Sequence, residues 1–350
     1  MELSTPYVVV DVDVLDRNSR AMADAAAARG IALRPHAKSH KSPQIARRQL
    51  EHGAAGLTVA TVAEAEVFAE VCQDLFIAYP IWASPARARR LRALAERVAL
   101  RVGVDSAESA ELLAAAVPGL AVLVEVDSGH HRSGVRPAEA GALAAAAARA
   151  GLDVRGVFTF PGHGYLPGNR ERAAADEAAA LDEAAGSLRA AGLEAPVRSG
   201  GSTPTAALSD PSVVNELRPG VYLLNDAQQV ELGTCDWSAV ALTVAATVVS
   251  VNGPRVILDA GSKALGADQP AWVTGAGRLP DRPEARITAL SEHHATVTFP
   301  HDAEVPARGD VVRVAPNHVC AAVNLADELI AVSGGRVAGR WPVAARNANT

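Results

Sequence analysis

The feature that most restricts this chain is a change of period at about residue 235. Before it, short apolar runs at 31–34, 56–59, 75–78, 99–102, 122–126, 154–158, 197–199 and 221–224 alternate with alanine-rich stretches such as 61–72, 85–96, 137–150 and 170–191. The runs read as strands, and the stretches between them have helical spacing. Helix starts are signalled at Ser84-Pro85 and Asp105-Ser106 by a capping residue or an early proline. Eight strand–helix units in about 220 residues fit an α/β fold of the (β/α)8 TIM-barrel type, although a doubly wound sheet shares the alternation. The barrel is favoured because Lys38, Arg132, His163, Tyr165 and the Gly200-Gly201-Ser202 run each follow a strand, where barrel enzymes keep their chemistry. After residue 235 the runs 240–251, 255–259, 286–290, 295–299, 311–315, 329–332 and 336–341 are β-branched and separated by Gly, Pro and Asn/Asp turns. They predict a C-terminal all-β domain. The expected domains are therefore 11–235 and 236–350, with residues 1–10 able to join the second.

Several function classes are disfavoured. The net charge of −6 gives no general reason to bind nucleic acid or an anionic membrane. No apolar run approaches the ~20 residues a membrane span needs, and the opening MELSTPYVVVDVD lacks signal character, so a soluble protein is expected. Cys72, Cys235 and Cys320 are too few and too scattered for a disulfide framework, which makes a reducing cytoplasm the default. Cys72 sits in an apolar helical pattern and is expected in the core.

Four segments carry residues suited to chemistry. In Arg34-Pro35-His36-Ala37-Lys38-Ser39-His40-Lys41 a lysine stands just past a strand end, beside histidines and a second lysine. A nearby cation raises the cost of protonating an amine and leaves more of it free to attack a carbonyl. By composition alone, however, the segment reads as a basic surface turn. In Ser199-Gly200-Gly201-Ser202-Thr203 the glycines admit close backbone approach, while exposed N–H groups and the Ser202 and Thr203 hydroxyls suit a phosphate. Gly220 could expose N–H groups in the same way before the run at 221–224, and barrels often build phosphate sites at their seventh and eighth strands. Arg132, in Asp127-x-Gly129-x-x-Arg132-x-Gly134, either serves a ligand or pairs with Glu125 or Asp127. His318 and Cys320 follow the strand at 311–315, and in an extended segment they point to one side. Imidazole with thiolate suits zinc better than magnesium or calcium, and two protein ligands leave positions for water and substrate. Alone, such a pair is more often a packed histidine beside a buried thiol.

RPHAKSHK resembles the cofactor-lysine segment of the D-threonine aldolase and D-serine dehydratase family. PNHVCAAVNLADEL resembles the metal-binding segment of its D-serine dehydratase-like members, and GGSTPT lies between the two. The likeness runs from Thr5-Pro6 to Asp327. It implies a fold type III pyridoxal 5'-phosphate lyase, an alanine-racemase-like barrel with a C-terminal β-domain, and a homodimer with sites near its interface. It further implies that Lys38 carries the cofactor and that Arg132 lies beside the cofactor ring. His163 and Tyr165 would line the site from a Gly-His-x-Tyr loop. Gly201, Ser202 and Thr203 would meet the phosphate, as would Gly220 with Tyr222 in a second segment. His318 and Cys320 would hold a divalent metal, zinc in the first instance and manganese or magnesium as alternatives. Phe160 stands where many relatives are expected to have tyrosine. An arginine facing the ring nitrogen would leave it unprotonated and a weaker electron sink, which a metal electrophile would offset. Dehydratase members carry His-x-Cys and aldolase members more often His-x-Asp. Cys320 therefore points to β-elimination of water from a D-3-hydroxyamino acid, giving a 2-oxo acid and ammonia. Retro-aldol cleavage to glycine and an aldehyde is the alternative. An amino-acid racemase or a non-catalytic pyridoxal-phosphate carrier are readings of other classes. Lys263 is a rival lysine outside the barrel, and Glu292-His293-His294 reads equally well as a polar turn.

Overall fold

A computed structural model describes residues 3–350, which divide into two compact units. The first comprises Ala21–Lys38, Ile45–Gly220 and Ala348–Thr350; the second comprises the chain up to Arg20, Ser39–Gln44 and Val221–Asn347. Strands are numbered along the chain, so β1 (Tyr7–Asp11) belongs to the second unit.

The first unit holds β2 (Ala32–Leu33), β3 (Leu57–Val59), β4 (Asp74–Pro80), β5 (Ala99–Val104), β6 (Ala121–Glu125), β7 (Asp153–Phe158), β8 (Val197–Gly200) and β9 (Glu216–Leu217). They form one eight-stranded sheet in the order β2-β9-β8-β7-β6-β5-β4-β3, with every pairing parallel. A parallel bridge between His36 and Thr58 joins the two ends, so the sheet curls round in the TIM-like manner expected. Strand stretches such as Leu57–Val59 are buried on both faces, as parallel strands covered by helices must be. The intervening helices start where the capping signals stand. Ser84 accepts the Arg87 N–H ahead of Pro85, and Ser106 accepts that of Ser109. Cys72 is buried in the core, as its pattern predicts.

The eighth strand departs from expectation. Residues Val221–Leu223 form a 3-10 turn, and β9 lies upstream at Glu216–Leu217. A carboxylate inside a two-residue strand hides the β pattern; it is tolerated because it is paired inside the sheet. Glu216 meets Arg34 at 2.7 Å and Arg101 at 3.3 Å, and Asp74 meets the same arginines at 2.7 and 3.5 Å. Burial opposes ionisation of Glu216, yet Arg34 and Arg101 hold its carboxyl below the usual range. Beside this lattice, Phe76 and Phe158 meet edge to face at 5.0 Å and pack with Leu123. The buried Arg218 guanidinium lies over both rings and donates to Ser199 Oγ and to the Thr159 carbonyl. Burial pushes Arg218 down to about 10.

The second unit holds β1 with β10 (Leu242–Asn252), β11 (Arg255–Leu258), β12 (Arg286–Leu290), β13 (Ala295–Thr298), β14 (Val311–Val314), β15 (Glu328–Ser333) and β16 (Arg336–Pro342). Their order is β12-β13-β11-β10-β1-β15-β16, with β14 also paired to β10. All pairings are antiparallel except β1 with β15. Each β-branched run after residue 240 thus becomes a strand, and the opening run is one of them. No helix among the described residues is long and apolar enough to cross a membrane.

Candidate active site

Lys38 lies in a single 3-10 turn, Ala37–Ser39, just after β2. The segment around it is no surface turn, since Arg34, Ser39, His40 and Lys41 are all buried. Lys41, the cation expected beside the reactive amine, takes a left-handed φ of 50° and donates to Asn324 Oδ1 at 2.7 Å. His40 Nδ1 accepts the Ser42 N–H.

The group that gathers this site is Phe160. Lys38 Nζ stands 5.8 Å from its ring centre and the Arg132 guanidinium 5.2 Å, both within cation–π range. His130 meets the ring edge-on at 5.4 Å, and Tyr165 lies tilted to it at 6.3 Å. Residues following β2, β6 and β7 therefore converge on one aromatic ring at the strands' C-terminal ends. Of the acidic partners considered for Arg132, Asp127 is engaged elsewhere, whereas Glu125 feels the Arg132 charge and keeps a buried Oε2 with no hydrogen-bond partner among the described residues. Asp127 accepts the N–H groups of Gly129 and His131 and contacts the His131 ring, while Glu125 accepts from Ser133. Burial, then the charges of Arg132 and His163, push His130 down and favour its neutral form. His163 is held through Nε2 by Asp176 at 3.1 Å, and its buried Nδ1 has no hydrogen-bond partner among the described residues.

The Gly200–Thr203 loop follows β8. Gly201 has φ +80°, and a Cβ there would come within 2.6 Å of Leu217 Cδ2, so the position requires glycine. Its amide does not face outward as expected: Gly201 N–H donates to Glu177 Oε1 at 2.5 Å and Ser202 N–H to Thr205 Oγ1 at 3.0 Å. The Ser202 hydroxyl is itself buried, 2.9 Å from that of Thr205, and Thr203 beside it in the chain is half-buried. Glu177 belongs to helix Arg170–Ala190; it is wholly buried, accepts also from Ser209 at 2.9 Å, and is shifted upward by burial. Nothing in an alanine-rich, charge-studded helix singles it out. Gly220 precedes the 3-10 turn in which Tyr222 is buried.

The metal-ligand candidates are not on an extended segment. Helix Val319–Leu325 begins immediately, with His318 as its N-cap residue and Cys320 in its first turn. The start is fixed by Asp226, buried 93 positions earlier in sequence, whose Oδ2 accepts the Val319 N–H at 3.0 Å. Imidazole and thiol remain neighbours. Burial works against a charge on His318, but hydrogen bonding and charge from Cys320, then Asp268 and Asp226, outweigh it and push His318 up to about 10. His318 Nδ1 lies 2.7 Å from Asp268 Oδ2, and Cys320 Sγ lies 3.4 Å from the hydroxyl of Ser39, the residue after Lys38. Among the described residues no three His, Cys, Asp or Glu side chains form a metal-holding group. The pair itself fits a divalent metal whose remaining ligands are water or substrate. Lys263 is exposed and paired with Glu292 at 2.8 Å, which removes it as a rival for Lys38.

Family models cover most of the chain. The alanine racemase N-terminal domain matches residues 10–228 and the serine dehydratase domain residues 241–332. D-threonine aldolase of Arthrobacter sp. is 36% identical, covering 98% of this chain and 93% of the relative. D-threo-3-hydroxyaspartate dehydratase of Delftia sp. (strain HT23) is 35% identical, covering 92% of each. The crystal structure of D-threonine aldolase from Filomicrobium marinum superposes with a TM-score of 0.91 at 32% identity, over 99% of this chain and 97% of that one. Solved variants of D-threo-3-hydroxyaspartate dehydratase replace a histidine and, two positions on, a cysteine by alanine; the cysteine variant is in a metal-free form. With matches of this extent in both halves, the chain belongs to the alanine-racemase-like, fold type III family of pyridoxal-phosphate lyases that includes D-threonine aldolase and D-threo-3-hydroxyaspartate dehydratase.

Proposed function

We propose that this chain is a pyridoxal-phosphate- and metal-dependent lyase that eliminates water from D-3-hydroxyamino acids, the resulting enamine taking up water again to give a 2-oxo acid and ammonia. The observation that carries the choice of reaction is the thiol of Cys320 beside His318. The same histidine–cysteine spacing occurs at positions replaced in the related dehydratase, one of whose variants is metal-free. The residues present fit the cofactor. Lys38 and Arg132 lie near one aromatic ring, and a loop carrying the Ser202 and Thr203 hydroxyls follows β8, which together suit an anionic, aromatic aldehyde.

Lys38 is the residue to carry the cofactor, and its amine, once released, takes the α-proton of the substrate as general base. Phe160 has that amine at 5.8 Å and the Arg132 guanidinium at 5.2 Å from its ring centre, which brings the two groups to one site. Arg132, which lies over the same Phe160 ring as Lys38, would stand beside the cofactor ring. Ser202 and Thr203 would offer hydroxyls to the phosphate, while Gly201 serves the turn, its Cβ position taken by Leu217 and its amide committed to Glu177. Gly220 and Tyr222 form the second phosphate segment. His163 and Tyr165 line the site, with His163 oriented by Asp176. His318 and Cys320 would hold the divalent metal, and imidazole with thiolate favours zinc over manganese or magnesium. When bound, the cofactor supplies an electron sink for charge developing at Cα, and the metal supplies a Lewis acid for the β-hydroxyl.

Product analysis with D-threonine, on protein loaded with cofactor and zinc, tests this reading. We expect 2-oxobutanoate with ammonia. Glycine with acetaldehyde would overturn the dehydratase assignment, establish retro-aldol cleavage and show that Cys320 does not choose between the two reactions.

A further inference from the structure

We infer that Asp268 is a positioning residue for the metal pair: its carboxylate fixes the tautomer and the orientation of the His318 ring, so that Nε2 is the nitrogen offered to a divalent cation. The inference rests on the metal reading above and extends it to a residue outside the ligand pair. A ligating histidine is held in place by the hydrogen bond of its other ring nitrogen, because that bond decides which nitrogen keeps its lone pair. Here the bond is short, 2.7 Å from His318 Nδ1 to Asp268 Oδ2. With Nδ1 donating to the carboxylate, Nε2 is the nitrogen that would give up its proton to a metal.

Two further observations show that Asp268 is delivered to this place by the fold. Its segment follows the short helix Ser262–Leu265, which ends at Gly266 with φ +79°. A Cβ on Gly266 would lie 2.9 Å from the Cβ of Ala321, inside the helix that carries Cys320, so the backbone leading to Asp268 is seated directly on that helix. The main chain at His318 is fixed separately. Asp226 accepts the N–H of Val319 at 3.0 Å and that of Gln229 at 2.9 Å, and thereby ties the helix start to the segment opening helix Ala227–Glu231. One carboxylate thus sets the backbone under the histidine and another sets its ring. The Asp268 side chain is 58% exposed and lines a polar cavity of about 670 Å³, so water can replace it without loss of core packing. Its role can therefore be read apart from folding.

The test measures zinc affinity by competition with a chromophoric chelator, together with the cobalt-substituted absorption spectrum, on full-length cofactor-loaded protein. The proteins are wild type, Asp268→Ala, Asp268→Asn and His318→Ala. We expect Asp268→Ala to weaken zinc binding about 10–100-fold and to alter the cobalt spectrum, with cofactor absorbance and metal-free melting temperature unchanged. Asp268→Asn, which keeps the size and one acceptor, should lose less. Wild-type zinc affinity in Asp268→Ala, with binding abolished in His318→Ala, would overturn the inference and leave the metal reading standing. Equal zinc uptake by wild type and His318→Ala would instead remove the metal reading and this inference with it. Should Asp268→Ala lower the metal-free melting temperature, Asp268→Asn decides: reduced affinity supports the positioning role and unchanged affinity overturns it.

Discussion

Around Lys38 in the barrel unit, side chains from several strand ends meet on one aromatic ring, and the same sheet carries a network of ion pairs. In the β-rich unit, His318 and Cys320 stand on the first turn of one short helix. The lysine's surroundings draw on residues following β2, β6 and β7, in a sheet where Arg34, Arg101, Glu216 and Asp74 form a network of ion pairs. The metal pair draws on three polar neighbours, Ser39, Asp226 and Asp268, of which Asp268 is largely exposed. The lesson is that placing a nucleophile on a frame many strands share makes its position costly to disturb. A pair on one helical turn is adjusted by single side chains and leaves the fold intact.

The sharpest separation of chemistry from frame is Lys38→Ala. Loss of a general base alone is worth about 10²–10⁴-fold in rate, and here the covalent link to the cofactor goes with it. We expect activity to vanish and the visible absorbance of the bound cofactor to be lost, with the urea midpoint close to wild type. Borohydride trapping of the cofactor on another lysine in this variant would show that Lys38 is not its carrier.

Next in size is Glu216→Ala, which strikes the frame and spares the chemistry. It leaves Arg34 and Arg101 without their buried partner and removes a compensating charge from Arg218. Removing one member of a buried pair costs roughly 3–5 kcal/mol, because the remaining charge stays out of water. Urea unfolding should show that loss, whereas Asp268→Ala should show none in the metal-free protein. A cost below about 1 kcal/mol, the level of surface pairs, would mean that the lattice does not hold the barrel.

The sequence pattern reads these two regions unevenly. Periodicity places β12 at Arg286–Leu290 and β7 at Asp153–Phe158 almost to the residue, because in both the apolar run ends at turn-forming residues. It misplaces β9, because Glu216 looks like a solvent residue until Arg34 and Arg101 are brought to it. It misses the helix at Val319 because that helix has no local cap; the cap is Asp226, supplied from far along the chain. Lys38, Arg132 and Tyr165 are legible as polar residues after strands. Phe160 and Asp268 stand out only through likeness to the family, and Glu177 does not stand out at all, since a helical glutamate acquires meaning only from what the fold sets beside it.

The smallest effect lies beneath the Gly200–Thr203 loop. Glu177 is wholly buried, and burial raises its pKa above the ordinary value of 4.5 despite the bonds from Gly201 and Ser209. A raised folded-state pKa means that the native protein binds the proton more tightly than the unfolded chain does. The carboxyl's contribution is therefore complete below pH 4.5 and is lost as pH rises through the folded value. Glu177→Gln removes that proton equilibrium while keeping an acceptor for the Gly201 N–H. The variant should gain on wild type as pH rises from 5 to 8, by on the order of 1 kcal/mol in urea unfolding, the scale of one buried hydrogen-bonded group. A difference that stays constant across that range would show that Glu177 titrates as an ordinary carboxylate. The barrel frame would then carry one more buried negative charge under the loop proposed to meet a phosphate.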